Sequence, residues 1–149
     1  MVSYDGSWVN NKENGKGTLV FRAGSKYIGQ FENGKRHGNG LYMYDLDNPE
    51  HRYEGEWSDN KQSGQGSYCW GDGSSYVGQF DDGLFDGYGV MKYGKDKKTD
   101  RYEGEWKEGK QSGYGSEFYR NGANYVGQVC LYTTFLDFVR IFHLLINIT

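Results

Sequence analysis

Six times the chain writes Tyr-x-Gly-x, and five of the six run on into an aromatic residue. The six are Tyr4-Asp5-Gly6-Ser7-Trp8, Tyr27-Ile28-Gly29-Gln30-Phe31, Tyr53-Glu54-Gly55-Glu56-Trp57, Tyr76-Val77-Gly78-Gln79-Phe80, Tyr102-Glu103-Gly104-Glu105-Trp106 and Tyr125-Val126-Gly127-Gln128-Val129. Eleven residues after each of the first five tyrosines stands a Gly-x-Gly: Gly15/Gly17, Gly38/Gly40, Gly64/Gly66, Gly87/Gly89 and Gly113/Gly115. The tyrosines step by 23, 26, 23, 26 and 23 residues. A fixed period of this size means stacked repeats rather than one globular core, and stacked repeats present an extended surface. Binding is therefore the expected kind of function.

Each repeat reads as a β-hairpin. The first strand is Tyr-x-Gly-x-Trp/Phe, a six-residue polar turn such as Glu32 to His37 follows, and the return strand opens on Gly-x-Gly. It closes on an aromatic: Phe21, Tyr44, Trp70, Tyr93 or Tyr119. Side chains alternate along a strand, so Tyr, Gly and Trp/Phe share one face and large rings alternate with bare backbone. Glycine weakens a strand unless another group needs to come close; here a neighbouring ring is that group.

The opposite face alternates with the repeats. It carries Asp5/Ser7, Glu54/Glu56 and Glu103/Glu105 in the odd repeats, and Ile28/Gln30, Val77/Gln79 and Val126/Gln128 in the even ones. Three-residue insertions follow only repeats two and four, so the true unit is a 49-residue pair. The expected fold is all-β: one elongated, twisted antiparallel sheet of hairpins over residues 1–128, followed by a divergent segment, 129–149.

The pattern Tyr-Glu-Gly-Glu-Trp, then a turn ending in Lys, then Gly-x-Gly, resembles the MORN repeat (membrane occupation and recognition nexus). Tyr53 to Trp57 with Asn60-Lys61, and Tyr102 to Trp106 with Gly109-Lys110, match it best, and the resemblance spans residues 4–128. It implies a hairpin array serving as a scaffold, in settings such as ciliary or flagellar axonemes, the cytoskeleton or membrane contacts. It also implies two alternatives: a peripheral phospholipid-binding module, and the regulatory part of a larger enzyme.

Composition narrows these. The net charge is −3, which argues against a nucleic-acid binder. Short basic clusters supply the candidate lipid contacts Lys35, Arg36, Lys97 and Lys98, but anionic-lipid recognition needs denser clusters, so weak or no phospholipid binding is expected. Aromatics make up 17% of the chain. Because Tyr and Trp combine area with a polar handle, the mid-array rings Tyr53, Trp57, Tyr76, Phe80, Tyr102 and Trp106 are the candidate anchors for a protein partner or a second copy. The two cysteines, Cys69 and Cys130, lack metal spacing and fit a reducing compartment; a cytoplasmic location, in a cilium or flagellum among others, is the expectation.

No catalytic constellation is visible. His37, His51 and His143 are scattered, no His/Cys pair has ligand spacing, and Gly-x-Gly lacks the third glycine of a dinucleotide loop. Asp45-Leu46-Asp47-Asn48 lacks the glycine and terminal glutamate of a calcium loop. No cofactor, no metal and no enzymatic activity are expected.

At Val129 the pattern breaks, glycine vanishes and apolar residues dominate, with Thr134-x-x-Asp137 spaced as a helix-starting capping box. Three readings stand side by side: a helix capping the last hairpin, the end of an alternative transcript, and a membrane-associated segment.

Overall fold

The computed structural model describes residues 3–129; the helix expected in the tail falls outside the described residues. The strands are β1 (Ser3–Val9), β2 (Lys12–Val20), β3 (Lys26–Glu32), β4 (Lys35–Met43), β5 (Arg52–Ser58), β6 (Lys61–Cys69), β7 (Ser75–Asp81), β8 (Leu84–Lys92), β9 (Thr99–Lys107), β10 (Lys110–Tyr119) and β11 (Asn124–Gln128). All eleven form one antiparallel sheet in which every strand pairs with its neighbours in sequence. At about 4.8 Å per step the array is roughly 48 Å long. No helix occurs among the described residues.

The hairpin turns are tighter than the expected six residues. Two residues suffice: Asn10-Asn11, Asn33-Gly34, Asp59-Asn60, Asp82-Gly83 and Glu108-Gly109. All ten have positive φ, from 48° at Asp59 to 86° at Gly83, as a type I′ turn requires. The return strands accordingly start at Lys12, Lys35, Lys61, Leu84 and Lys110, three residues ahead of Gly-x-Gly.

The residues mistaken for turn are absorbed by a bulge. Gly29 opposes Gly40, yet Phe31 opposes Arg36, so the return strand carries two extra residues there. The same slip recurs in the other four hairpins. The first glycine of each Gly-x-Gly lies in the slip with φ between 55° and 106°, a conformation that glycine alone adopts freely. Bulges bend and twist the strand that bears them. Between hairpins the register is unbroken.

The second glycine has a different role. Gly6, Gly17, Gly29, Gly40, Gly55, Gly66, Gly78, Gly89, Gly104, Gly115 and Gly127 pair in one line across all eleven strands. A Cβ on Gly66 would lie 2.5 Å from the Tyr53 hydroxyl and 2.6 Å from its ring. Tyrosine rings therefore lie flat on paired glycines, as the alternation of ring and bare backbone predicts.

Tyr27, Tyr53, Tyr76 and Tyr102 are completely buried, with Phe31, Trp57, Phe80 and Trp106 beside them. A single sheet can close over its own rings only if it creases, and the repeated bulge is the crease. Tyr4, Tyr27, Tyr53 and Tyr76 each meet the aromatic of their own repeat edge-on, as Tyr53 meets Trp57 at 5.2 Å, and also that of the next repeat, as Tyr53 meets Phe80 at 5.0 Å; Tyr102 meets Trp106 of its own repeat. Edge-to-face pairs like these add stability beyond their burial.

The glycine line gives a direct test. Gly55→Ala must push aside the Tyr53 hydroxyl and the Gly66 backbone, both within 2.6 Å, so its cost should reach or pass the upper end of about 1–3 kcal/mol. Gly109→Ala meets nothing closer than 3.9 Å and strains only a positive φ, at about 1 kcal/mol. Urea midpoints of the two variants compare them; equal losses would contradict the packing.

Candidate functional site

The crease is locked from both sides. On the inner side each repeat tyrosine donates its hydroxyl to the carbonyl three residues on. Tyr4 reaches Ser7, Tyr27 Gln30, Tyr53 Glu56, Tyr76 Gln79, Tyr102 Glu105 and Tyr125 Gln128, at 2.8–3.1 Å. Phenylalanine could cover the glycines but could not make this bond. Desolvation pushes the hydroxyls of Tyr27, Tyr76 and Tyr102 up to about 12, and Tyr53 rises for the same reason.

On the outer side the side chain at the position after the paired glycine caps the bulge. Gln30 accepts from the Asn39 amide (2.7 Å), Glu56 from Gln65 (2.9 Å), Gln79 from Tyr88 (2.6 Å) and Glu105 from Tyr114 (3.1 Å). The alternation of Glu and Gln at this position thus has a plain reason: both present the oxygen that the bulged amide needs. Glu56 and Glu105 hold the backbone.

The six rings expected to be exposed anchors are the core instead. Tyr53, Tyr76 and Tyr102 are 0% exposed, Trp57 5%, Phe80 4% and Trp106 6%. That expectation is corrected because the crease folds the sheet over them. The accessible rings of this face come from the return strands and the residues just past their ends. Phe21, Tyr42, Tyr44, Tyr68, Trp70 and Phe85 run as a chain of ring contacts at 4.6–6.1 Å. All six are half-buried, and among the described residues no other layer crosses them.

Their hydroxyls are tethered. Tyr42 bonds Ser25, Tyr44 accepts from Gln62, Tyr68 bonds His51 and Tyr93 accepts from Gln111. The closing aromatics were visible in the sequence, but nothing there distinguished the covered ring row from the open one.

The row changes character between the two repeat pairs. In the first, Arg36 lies on the Trp57 ring at 4.4 Å and binds the Asn60 carbonyl at 2.7 Å. Burial lowers the pKa of its guanidinium. An open recess of about 350 Å³ is lined there by Arg36, Tyr42, Tyr44, Trp57, Lys61 and Gln62. Forty-nine residues later the same places hold Phe85, Met91, Tyr93, Trp106, Lys110 and Gln111. His51 and Tyr68 give way to Asp100 and Glu117. The groove therefore carries Arg36, His51 and Tyr68 at one end, and Glu117 with an Arg120-paired Asp100 at the other. A larger open hollow of 520 Å³ lies on the outer face, lined by Lys16, Gly17, Thr18, Ile28, Gly29, Gln30 and Asn39.

The four basic candidates do not come together. Lys35 pairs with Asp59 at 3.1 Å, and Arg36 is packed as described. Both sit at the two-residue turn end of the hairpins, whereas Lys97 and Lys98 lie at the opposite end of the strands, four strands away. That loop is held by Arg120, which donates to the carbonyls of Tyr93, Gly94 and Lys97 and pairs with Asp100 at 3.0 Å. Among the described residues no group of three His, Cys, Asp or Glu is placed to hold a metal.

The outer face also carries the expected alternation, along one line of paired residues: Thr18, Ile28, Leu41, Glu54, Ser67, Val77, Val90, Glu103, Ser116 and Val126.

These features define an all-β array of stacked hairpins, each closed by a tyrosine over paired glycines. The MORN repeat matches residues 4–26, 27–45, 53–75, 76–96 and 102–123, and the chain belongs to the MORN repeat family. No curated protein matches the chain.

Two measurements check the lock. Tyr53→Phe leaves the Glu56 carbonyl without its donor and should cost about 1–3 kcal/mol. Glu56→Gln should be neutral within about 0.5 kcal/mol, whereas Glu56→Ala should cost about 1 kcal/mol by orphaning the Gln65 amide. Chemical denaturation ranks the three.

The second is alkaline titration. The buried hydroxyls ionise near 12 in the folded chain and near 10 when unfolded. Between those values the unfolded state holds fewer protons, so stability is complete below pH 10 and is lost as pH rises toward 12. Tyrosinate absorbance and loss of sheet structure should therefore rise together.

Proposed function

We propose that this MORN array is a non-enzymatic scaffold that holds a partner protein along the open return-strand rings of its creased face. The supporting observation is the uncovered chain of rings from Phe21 to Phe85, with tethered hydroxyls and the packed guanidinium of Arg36 beside it. Aromatic and arginine side chains of this kind carry most of the energy in protein interfaces. The exchange of Tyr68 for Glu117 along the groove sets the orientation of the partner. A cytoplasmic setting, with ciliary and cytoskeletal assemblies as places to look, belongs to the same proposal. Membrane association is the competing use of such an array. The scattered positions of Lys35, Arg36, Lys97 and Lys98 favour a protein partner over a headgroup surface.

The experiment is capture by the full chain of one reproducible partner, repeated with Trp70→Ala and Tyr68→Ala. Each should weaken capture by more than about 1 kcal/mol while the melting temperature shows the array still folded. Sedimentation with anionic vesicles runs beside it, using Lys35→Ala with Lys97→Ala and Lys98→Ala and leaving the structural Arg36 intact. Capture that ignores both ring variants, together with tight, salt-sensitive vesicle binding lost in the lysine variant, would replace the scaffold reading with the membrane one.

A further inference from the structure

The inner face is crossed by one row of paired residues that ends Tyr68, Tyr76, Met91, Tyr102, Glu117 and Tyr125. Its earlier members are Leu19 and tyrosines. Among the described residues Glu117 is the only charged member of the row. The architecture does not ask for it. Forty-nine residues earlier the same place, between Tyr53 and Tyr76, holds Tyr68, whose hydroxyl meets His51.

Taking a carboxylate out of water costs free energy unless a cation or enough donors compensate it. Glu117 is half-buried. One oxygen accepts from the Thr99 hydroxyl at 2.9 Å and the other from the Tyr119 hydroxyl at 2.8 Å. Both donors are neutral, and an ionised carboxylate can accept about four hydrogen bonds. Among the described residues no cation pairs with Glu117. The arginines at neighbouring positions are committed elsewhere, Arg101 to Glu103 and Asp100, and Arg120 to Asp100.

The surrounding rings feel this charge. Burial first, and then the Glu117 carboxylate, raises the Tyr93 hydroxyl. Burial, the hydrogen bond to Glu117 and its charge push Tyr119 up to about 12. Ammonium and guanidinium groups are drawn to such a place twice, by the ring faces and by the carboxylate.

We propose that Glu117, with the rings of Tyr93 and Tyr119, seats a lysine or arginine side chain of the protein partner held in the groove. This rests on the groove reading and adds the chemistry that orders the partner. Its basic residue lies at the β10 end, beyond the part that covers Tyr68 and Trp70.

The first probe is butylammonium, with butanol as the neutral control, titrated into the full chain and followed by NMR. Saturable shifts at Tyr93, Glu117 and Tyr119 are expected from the cation alone. They should vanish in Glu117→Tyr, which copies Tyr68 and should melt with the parent, and in Glu117→Gln, the variant closest in shape. Equal shifts from butanol, or cation shifts that persist in both variants, overturn the proposal. In the capture assay either variant should weaken binding about tenfold or more and flatten its dependence on salt. Capture lost in Trp70→Ala and Tyr68→Ala but untouched by both Glu117 variants overturns the cation seat and leaves the groove. Capture indifferent to the ring variants but weakened by the Glu117 variants keeps the seat and removes the groove. Binding to phosphatidylcholine vesicles that disappears in the Glu117 variants would assign the seat to a lipid choline and overturn the protein partner.

Discussion

The tyrosine of each hairpin lies flat on two glycines that face each other across it, and its hydroxyl holds the carbonyl just past them. The fold follows from that contact. The ring needs bare backbone beneath it, so the glycines must pair, and pairing them in every hairpin sets the register of the whole sheet. The hydroxyl must reach the next carbonyl, so the strand must bend there, and the two-residue bulge bends it. Once bent, the sheet covers its own rings. A chain with modest aliphatic content can thereby build a core from one layer, with each repeat closing the one before it.

Such a core is one-dimensional. Tyr4, Tyr27, Tyr53 and Tyr76 are each finished by an aromatic from the following repeat, as Tyr27 is by Trp57 and Tyr76 by Trp106. Stability is then shared between neighbours rather than centred, and the ends of the array are chemically distinct from its middle. Trp8, 53% exposed where Trp57 and Trp106 are 5% and 6%, stands at such an end. Function can be separated from architecture on the same basis: whatever recurs in every repeat holds the sheet. Whatever differs between the two repeat pairs without holding the sheet, such as Tyr68 against Glu117, is free to choose a partner.

Much of this was legible in the residues. The phase of Tyr, Gly and Gly-x-Gly named the hairpins, their order and the face on which rings meet glycines. The alternation of Glu54, Val77, Glu103 and Val126 foretold the banded outer face. The turns were misjudged because Glu32 to His37 is polar throughout; only the positive φ of Asn33 and Gly34 separates a two-residue turn from the strand resuming at Lys35. The candidate anchors were misjudged for a related reason. Strand alternation puts Tyr53 and Trp57 on the inner face, but alternation says nothing about whether a face is open.

The sequence by itself determined the repeat, the all-β hairpin array and the pairing of rings with glycines. Those depend on local periodicity, on the backbone freedom of glycine and on the bulk of the ring. Tertiary structure alone decided which aromatic row is sealed and which is accessible. It also decided that Lys35 and Arg36 lie at the opposite strand end from Lys97 and Lys98, and that Trp8 is left bare. These are consequences of curvature and of position along the stack. Curvature arises from a register slip between strands that no single strand encodes, and identical motifs acquire different surroundings only once their neighbours are in place.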